Sequence, residues 1–252
     1  MRRPVLAALA AVLCAGVPAR ASFFPSSPFS DAAAGTTGAA FLKIPAGARL
    51  LALGGSAAAS SRGADALFWN PAGAARLAGG GRSEASFSYN ALLASSYGGA
   101  AAYARPLSGG DSVVGGAFVY HSAGTLQGYD RLGNSDGSLT AYDLAAEAAY
   151  ARRVDTMGFG AAAKLIRSDV AGASGTSFAV DLGVTADRVS DIGDGPVDLG
   201  AAVQNLGPAI QVGGVASPLP FQLLVGSCWH MNPQLDFMLD GHLPADAAPY
   251  PS

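Results

Sequence analysis

Residues 177–187 read SFAVDLGVTAD, and this stretch alternates apolar with small or polar side chains along its whole length. Successive side chains of a β-strand point to opposite faces, so this alternation predicts a strand with two chemically different faces. One face carries Phe178, Val180, Leu182, Val184 and Ala186, and the other carries Ser177, Ala179, Asp181, Gly183, Thr185 and Asp187. The first face is apolar throughout, and the second places Asp181 in a polar setting.

Similar segments recur along the chain and are separated by turns rich in Gly, Pro, Asp and Ser. Their predicted bounds are 84–92, 97–107, 111–121, 141–152, 157–168, 177–188, 196–205, 220–231 and 234–243. We therefore predict an all-β, antiparallel fold of about nine strands. The longest insertion between strands, residues 122–140 with Tyr129 and Arg131, is expected to be a loop.

Composition narrows the class of protein. Half of the residues are hydrophobic and 13% are charged, against roughly 25% charged residues in ordinary soluble domains. No run of about 18 apolar residues follows residue 21, so a helical membrane protein is not expected. Strands that alternate in this way suit a transmembrane β-barrel, although a soluble β-sandwich shows the same alternation. The net charge of −3 and the scattered Lys and Arg residues argue against a nucleic-acid partner.

The N-terminus has the three parts of a secretory signal. Met1-Arg2-Arg3 is cationic, residues 5–17 are apolar but too short to span a bilayer, and Ala19-Arg20-Ala21 is a small-x-small cleavage site. Residues 1–21 are therefore predicted to be a signal peptide. Cys228 would be the only cysteine left after cleavage, which excludes an intramolecular disulfide.

A Gly- and Ala-rich block precedes the strands. Residues 35–77 read GTTGAAFLKIPAGARLLALGGSAAASSRGADALFWNPAGAARL. Asn70-Pro71 is a favourable helix start, because the Asn70 side chain can cap free backbone N–H groups and Pro71 needs no donor at the first helical position. A short helix is expected to run from there through Leu77. The other interpretation is a flexible leader with a turn at Asn70-Pro71.

The ordered pieces FLKIPAGAR, ALGG and DALFWNPAG in this block resemble the PorV/PorQ family of outer-membrane proteins, which is FadL-like (OmpP/TodX-type). The resemblance implies a transmembrane antiparallel β-barrel in the outer membrane of a Gram-negative cell. It also implies a small N-terminal plug, or hatch, with a short helix, over residues 22–80, followed by the barrel over residues 81–252. The residues that carry the plug motif are Asp65, Trp69, Asn70, Pro71 and Gly73.

Barrels of the resembled family have about fourteen strands, and this chain offers about nine. Its last residues, 243–252, read as a turn-like piece without a closing strand. First and last strands of an odd antiparallel set run parallel and cannot close as antiparallel neighbours. We therefore expect a partial barrel that is open and incomplete at its C-terminus.

Charged residues recur on the predicted inner side of the strands. This polar face comprises Glu84, Asp143, Glu147, Lys164, Asp181, Asp198, Asp236 and Asp240. One interpretation is an interior that is polar because it is solvated. The other is an acidic conduit, or a seat that pairs with the cations of the plug, which are Lys43, Arg49, Arg62 and Arg76.

No pattern in the chain indicates an enzyme, a cofactor or a metal site. Gly158-Phe159-Gly160 imitates a dinucleotide fingerprint but lies in an alternating strand with no helix after it. The three histidines lack metal-ligand spacing. His121 and Ser122 are neighbours in a strand and point to opposite faces, so they cannot act together as base and nucleophile.

Two functions are implied by the resemblance. The first is passive, plug-gated diffusion of hydrophobic small molecules, with outer-membrane lipid and a hydrophobic ligand as partners. The second is an accessory role in a protein secretion system, in which the barrel escorts or anchors exported proteins and secretion-system proteins are the partners. Residues 122–140 would serve as a ligand lid in the first case and as a docking surface in the second.

Overall fold

The computed structural model describes residues 23–193 and 195–252, so the predicted signal peptide lies outside the described residues. A ten-stranded antiparallel sheet dominates the fold, and a two-stranded ribbon accompanies it. The strands are β1 (Glu84–Ala91), β2 (Tyr97–Pro106), β3 (Ser112–Tyr129), β4 (Ser135–Val154), β5 (Met157–Val170), β6 (Ala173–Ile192), β7 (Gly195–Leu206), β8 (Ile210–Val212), β9 (Val215–Ser217), β10 (Gln222–Asn232), β11 (Leu235–Pro244) and β12 (Tyr250–Pro251).

The sheet follows chain order, β1-β2-β3-β4-β5-β6-β7-β10-β11-β12, and β8 pairs with β9 in the connection between β7 and β10. All nine predicted strand segments are present, and strands make up 57% of the structure, so the all-β prediction is confirmed. In the described ranges, no ladder joins β1 to β11 or β12, and β1 and β12 are the two ends of the strand order.

Two sequence expectations about connections are wrong. Residues 122–140 are not a loop, because β3 and β4 continue as a paired hairpin with Thr125 opposite Thr140 and Tyr129 opposite Ser135. The apolar alternation fades there because the hairpin is exposed on both sides, which hides the strand signal in the sequence. The tail is also more than a turn, since Tyr250 pairs with His242 on β11.

The N-terminal segment, residues 31–77, consists of short helices joined by tight turns. They are the 3₁₀ helices Asp31–Ala33, Ala40–Lys43, Ala64–Phe68 and Pro71–Leu77 and the α-helix α1 (Ala48–Ala52). None of the helices in the described part of the chain is long and apolar enough to cross a lipid bilayer.

One face of the sheet, called here the inner face, packs against this segment. The segment contacts the sheet near both of its ends. Asp65 binds Ser86 on β1, and Ala58 binds Asp240 on β11. Nine neighbouring strands would span about 38 Å if they lay flat. The sheet therefore curves around the segment.

The inner face admits the segment because glycine and alanine line it. A Cβ atom at Gly160 would overlap the backbone of Ala72, and one at Gly200 would overlap the carbonyl of Ala58. The glycines of the false dinucleotide fingerprint thus have a packing role, since Gly160 lets the helix Pro71–Leu77 approach β5.

The opposite face of the sheet, called here the outer face, is apolar and exposed. On β6, Phe178 and Leu182 are 42% and 47% exposed on the outer face. Asp181, which lies between them in sequence, is fully buried on the inner face. The predicted register of residues 177–187 is therefore confirmed. The apolar residues of this strand lie outside and not in a sandwich core.

Candidate functional site

The candidate site is the interior between the N-terminal segment and the inner face of the sheet. Asn70 lies at its centre and is fully buried. Its side-chain oxygen accepts a hydrogen bond from Ala72 N–H at 3.1 Å, which caps the helix Pro71–Leu77 as the sequence predicts. Its amide nitrogen donates to the carbonyl of Ala58 at 2.7 Å, and more weakly to those of Val184 and Ala201 at 3.3 and 3.4 Å. Asn70 thus joins two parts of the segment to β6 and β7.

The other residues of the resembled motif also make contacts inside this interior. Asp65 accepts a hydrogen bond from Ser86 on β1. Trp69 donates its indole N–H to the carbonyl of Ala46 at 2.8 Å. A Cβ at Gly73 would overlap the backbone of Ser61, so this position requires glycine. The motif residues therefore fold the segment on itself and fasten it to the sheet.

Three charged residues of the predicted polar face form a buried ionic group. Lys164 Nζ lies 2.6 Å from Asp181 Oδ2 and 3.8 Å from Glu147 Oε2. The side chains of Lys164, Asp181 and Glu147 are 8%, 0% and 5% exposed. Asn205 completes the group, because its side-chain oxygen accepts from Lys164 at 3.1 Å and its backbone N–H donates to Asp181 at 2.8 Å. These three charged side chains are therefore largely shielded from bulk solvent.

A cation of the segment pairs with other carboxylates of the sheet. Arg76 lies 2.5 Å from Asp187 and 3.3 Å from Asp198, and it also donates to the carbonyls of Ala59 and Ser61 at 2.8 and 2.7 Å. Arg76 of the segment and Asp198 of the polar face thus form an ion pair. Arg76 ties the end of the capped helix to β6 and β7.

Asp240 on β11 binds backbone rather than a cation. It accepts hydrogen bonds from Ala57 N–H at 2.7 Å and Ala58 N–H at 2.6 Å. Glu84 lies on the same inner side but at the exposed start of β1, where its carboxylate abuts Gly63. Asp143 lies 3.5 Å from His121 on β3.

Lys43 of the segment binds a carboxylate that follows β11 in the chain. Lys43 donates to Asp246 at 2.6 Å, and Thr37 donates to the same carboxylate oxygen at 2.6 Å. Burial raises the pKa of Asp246, but the hydrogen bonds from Lys43 and Thr37 outweigh it and hold the pKa below its ordinary value. Asp246 is therefore ionised at neutral pH and anchors the start of the segment.

A pocket lies between residues 41–46 of the segment and the inner face, with a cavity of about 70 Å³. Its apolar lining includes Phe41, Ile44 and Val119, and its polar lining includes Lys164 and Glu147. The carboxylate oxygen Oε1 of Glu147 is buried without a hydrogen-bond partner. The cavity has room for only a few water molecules and is too small for a drug-sized ligand, so any larger guest requires the segment to move.

Asp236 and Asp198 of the predicted polar face both lie beside His230, which the sequence did not indicate as a site residue. Asp236 Oδ1 is 2.8 Å from His230 Nδ1, and Asp198 Oδ2 is 3.2 Å from His230 Nε2. Cys228 Sγ is 3.9 Å from the same Nδ1. Strand pairing makes this cluster, because Asp236 is opposite His230 on β11 and Asp198 is opposite Cys228 on β7. A sequence signal exists only in the pair Cys228-x-His230, whose side chains share one face of β10.

Comparison with known proteins assigns no family to the chain. The sequence matches no protein-family model and no curated protein.

Proposed function

We propose that the chain is an outer-membrane β-barrel protein whose N-terminal segment is a plug, and that it lets a hydrophobic small molecule diffuse passively past that plug. The observation that carries this proposal is the apolar outer face. Large apolar side chains lie exposed on successive strands, among them Phe87, Tyr103, Phe118, Tyr150, Phe159, Leu165, Phe178, Leu182, Leu199, Val225, Phe237 and Leu239. Exposed apolar patches of this extent are rare on soluble monomers and suit contact with lipid.

The polar interior supports the same assignment. A membrane barrel places polar side chains in its lumen and apolar ones outside, which is the reverse of a soluble sandwich. Here Asp181 and Lys164 are buried inside, while Phe178 and Leu182 lie outside. Arg76 of the plug pairs with Asp198 of the lumen, and a backbone N–H of the plug donates to Asp240.

The pocket beside residues 41–46 is the place where a guest would enter. Phe41, Ile44 and Val119 offer an apolar wall, and the small cavity means that the plug has to shift before a guest passes. Passage driven only by the concentration gradient needs no catalytic residue. The contacts that fasten the plug form the gate. One of them is the ion pair between Lys43, which lines the pocket, and Asp246.

A reversible cross-link tests the gate. Ser56 Oγ in the plug lies 3.2 Å from Ser252 Oγ beside β12, so cysteines at both positions can form a disulfide with little movement. The S56C/S252C variant, with Cys228→Ser, would be placed in liposomes and the entry of an apolar fluorescent dye followed. Oxidation should slow entry at least about tenfold and reduction should restore it, and the single variants serve as controls. Equal entry in the oxidised and reduced states would refute plug gating.

One observation favours the secretion role as a second candidate. The hairpin of β3 and β4 extends beyond Ser122, and its tip exposes Tyr129 and Leu132, which are 66% and 86% exposed. Such a projection suits docking of a protein partner. Removing residues 126–138 should abolish export of a secreted cargo and leave dye entry unchanged if this role holds. Loss of dye entry with normal export would favour the transport role alone.

A further inference from the structure

A second cluster of reactive side chains lies on the inner face near the short turn between β10 and β11. Cys228 and His230 are two residues apart on β10, so their side chains share a face. Asp236 is opposite His230 on β11, and the pairing shifts register between His230 and Asn232. Irregularities of this kind re-aim side chains beside functional sites.

The distances suit a tetrahedral metal ion. One ligand atom from each of Cys228, His230 and Asp236 lies within 4.8 Å of the others. Zinc bonds of about 2.0–2.3 Å place neighbouring ligand atoms about 3.3–3.8 Å apart. The separation of 3.9 Å between Cys228 Sγ and His230 Nδ1 is already close to this range. The separation of 2.8 Å between His230 Nδ1 and Asp236 Oδ1 has to open by about half an ångström, which the exposed Asp236 side chain can supply.

Asp198 supplies the support that metal-binding histidines usually have. Such histidines donate their second ring N–H to a carboxylate or carbonyl, which fixes the ring and the tautomer. His230 Nε2 lies 3.2 Å from Asp198 Oδ2. Asp198 is itself held, because its other oxygen accepts from Arg188 N–H at 2.9 Å. In the metal-free geometry His230 Nδ1 donates to Asp236 at 2.8 Å. Loss of that proton frees Nδ1 for a metal ion, while the proton on Nε2 stays on the side of Asp198.

We propose that Cys228, His230 and Asp236 bind a divalent transition metal ion, zinc in the first place, with Asp198 as the positioning residue for the imidazole. Thiolate, imidazole and carboxylate are all ligands of zinc, and three protein ligands leave a fourth position for water. The adjoining cavity of about 190 Å³ has room for that water. This site is separate from the pocket at residues 41–46 and goes beyond the proposed passage.

The arginines around the cavity are compatible with a bound cation. Arg49, Arg62 and Arg76 line it together with the ligands. Arg76 is already paired with Asp187 and Asp198, and Arg62 is exposed to solvent. Without the ion, the thiol is neutral and the charge of the His230 imidazolium, which donates to Asp236 and Asp198, offsets that of Asp236. Binding releases two protons, one from the Cys228 thiol and one from His230 Nδ1, and the thiolate and the Asp236 carboxylate then cancel the two charges of the ion. The filled site therefore adds no net charge beside the arginines.

Cobalt titration tests the proposal on the purified full-length chain in detergent micelles. Cys14→Ser is included so that Cys228 is the only thiol. A thiolate-to-cobalt absorption band should grow to one ion per chain and disappear when an equal amount of zinc is added. Absence of the band in the folded protein would overturn the site.

Variants separate the site from adventitious binding. Cys228→Ser, which is nearly isosteric, should remove the band, and Asp198→Asn should weaken cobalt binding about tenfold while the band remains. His121→Ala is the matched control, because His121 has a carboxylate at 3.5 Å on the same sheet but is not in the Cys228 cluster. Its titration should equal that of the parent. A His230→Ala variant that is folded by circular dichroism and binds as tightly as the parent would refute the assignment.

Discussion

Replacement of Asn70 by alanine should loosen the N-terminal segment, by an amount that follows from the hydrogen bonds of Asn70. The change removes the cap on Ala72 N–H, which costs about 1 kcal/mol in comparable helices. It also removes the 2.7 Å hydrogen bond to the buried carbonyl of Ala58, which adds about 1 kcal/mol. The longer contacts with Val184 and Ala201 add less. We expect a total loss of about 2–3 kcal/mol.

Urea unfolding in detergent micelles measures this loss, in a Trp229→Phe background so that the fluorescence comes from Trp69 beside Asn70. Asn134→Ala is the matched control, because Asn134 is exposed in the hairpin tip and its side chain bonds only Asp130, at 3.1 Å. The control should change the free energy of unfolding by less than about 0.5 kcal/mol. If Asn70→Ala costs no more than the control, the reasoning about the plug is wrong.

Three further predictions concern the outer face, the inner face and the anchor of the plug. Leu182→Arg should destabilise the protein in bilayers by about 2–4 kcal/mol if this residue lies near the midplane, whereas Leu132→Arg at the exposed hairpin tip should be close to neutral in the same refolding assay. Gly160→Ala should cost about 1–3 kcal/mol and expose the plug to protease, whereas Gly99→Ala, whose Cβ has ordinary contacts, should leave protection unchanged. The lowered pKa of Asp246 means that its ionised form stabilises the fold above the ordinary value of 3.8 and that this contribution disappears as the pH falls through the lower folded value. Asp246→Asn should therefore lower the urea midpoint at neutral pH, and the difference from the parent should shrink on acidification below 3.8, whereas a constant difference would contradict the ion pair.

The sequence carried enough information for the strands and for the local structure at Asn70. Period-two alternation depends only on which face a side chain occupies, and this is why the register of residues 177–187 is right. The cap at Asn70 also depends on neighbours in sequence, since its oxygen binds Ala72 N–H. The hairpin beyond Ser122 was missed because both of its faces are exposed, and alternation disappears where neither face is apolar.

The sequence indicated which polar residues face the interior but not which of them meet. Their partners depend on strand pairing and on the packing of the N-terminal segment against the sheet. Lys164 meets Asp181 only when β5 and β6 are placed side by side. His230 meets Asp236 through a hairpin and Asp198 through a different neighbouring strand, so no spacing along the chain reveals the cluster. Burial of the Lys164 group also makes Asp181 important for stability. Asp181→Asn would leave a buried cation with a weaker partner, which is strongly destabilising in other proteins.

The contact between Asp240 and the plug has a consequence for the order of assembly. Neighbouring strands of the sheet are mostly successive hairpins, which form from local contacts, but Asp240 meets Ala57 across 183 residues. Closing so long a loop is entropically costly unless the intervening chain has already folded. We therefore expect the hairpins from β2 to β7 to pack around the N-terminal segment before Asp240 fastens the last long strand. On this view the N-terminal segment helps to set the curvature of the sheet, and loss of its contacts should leave β11 without its fastening at Asp240.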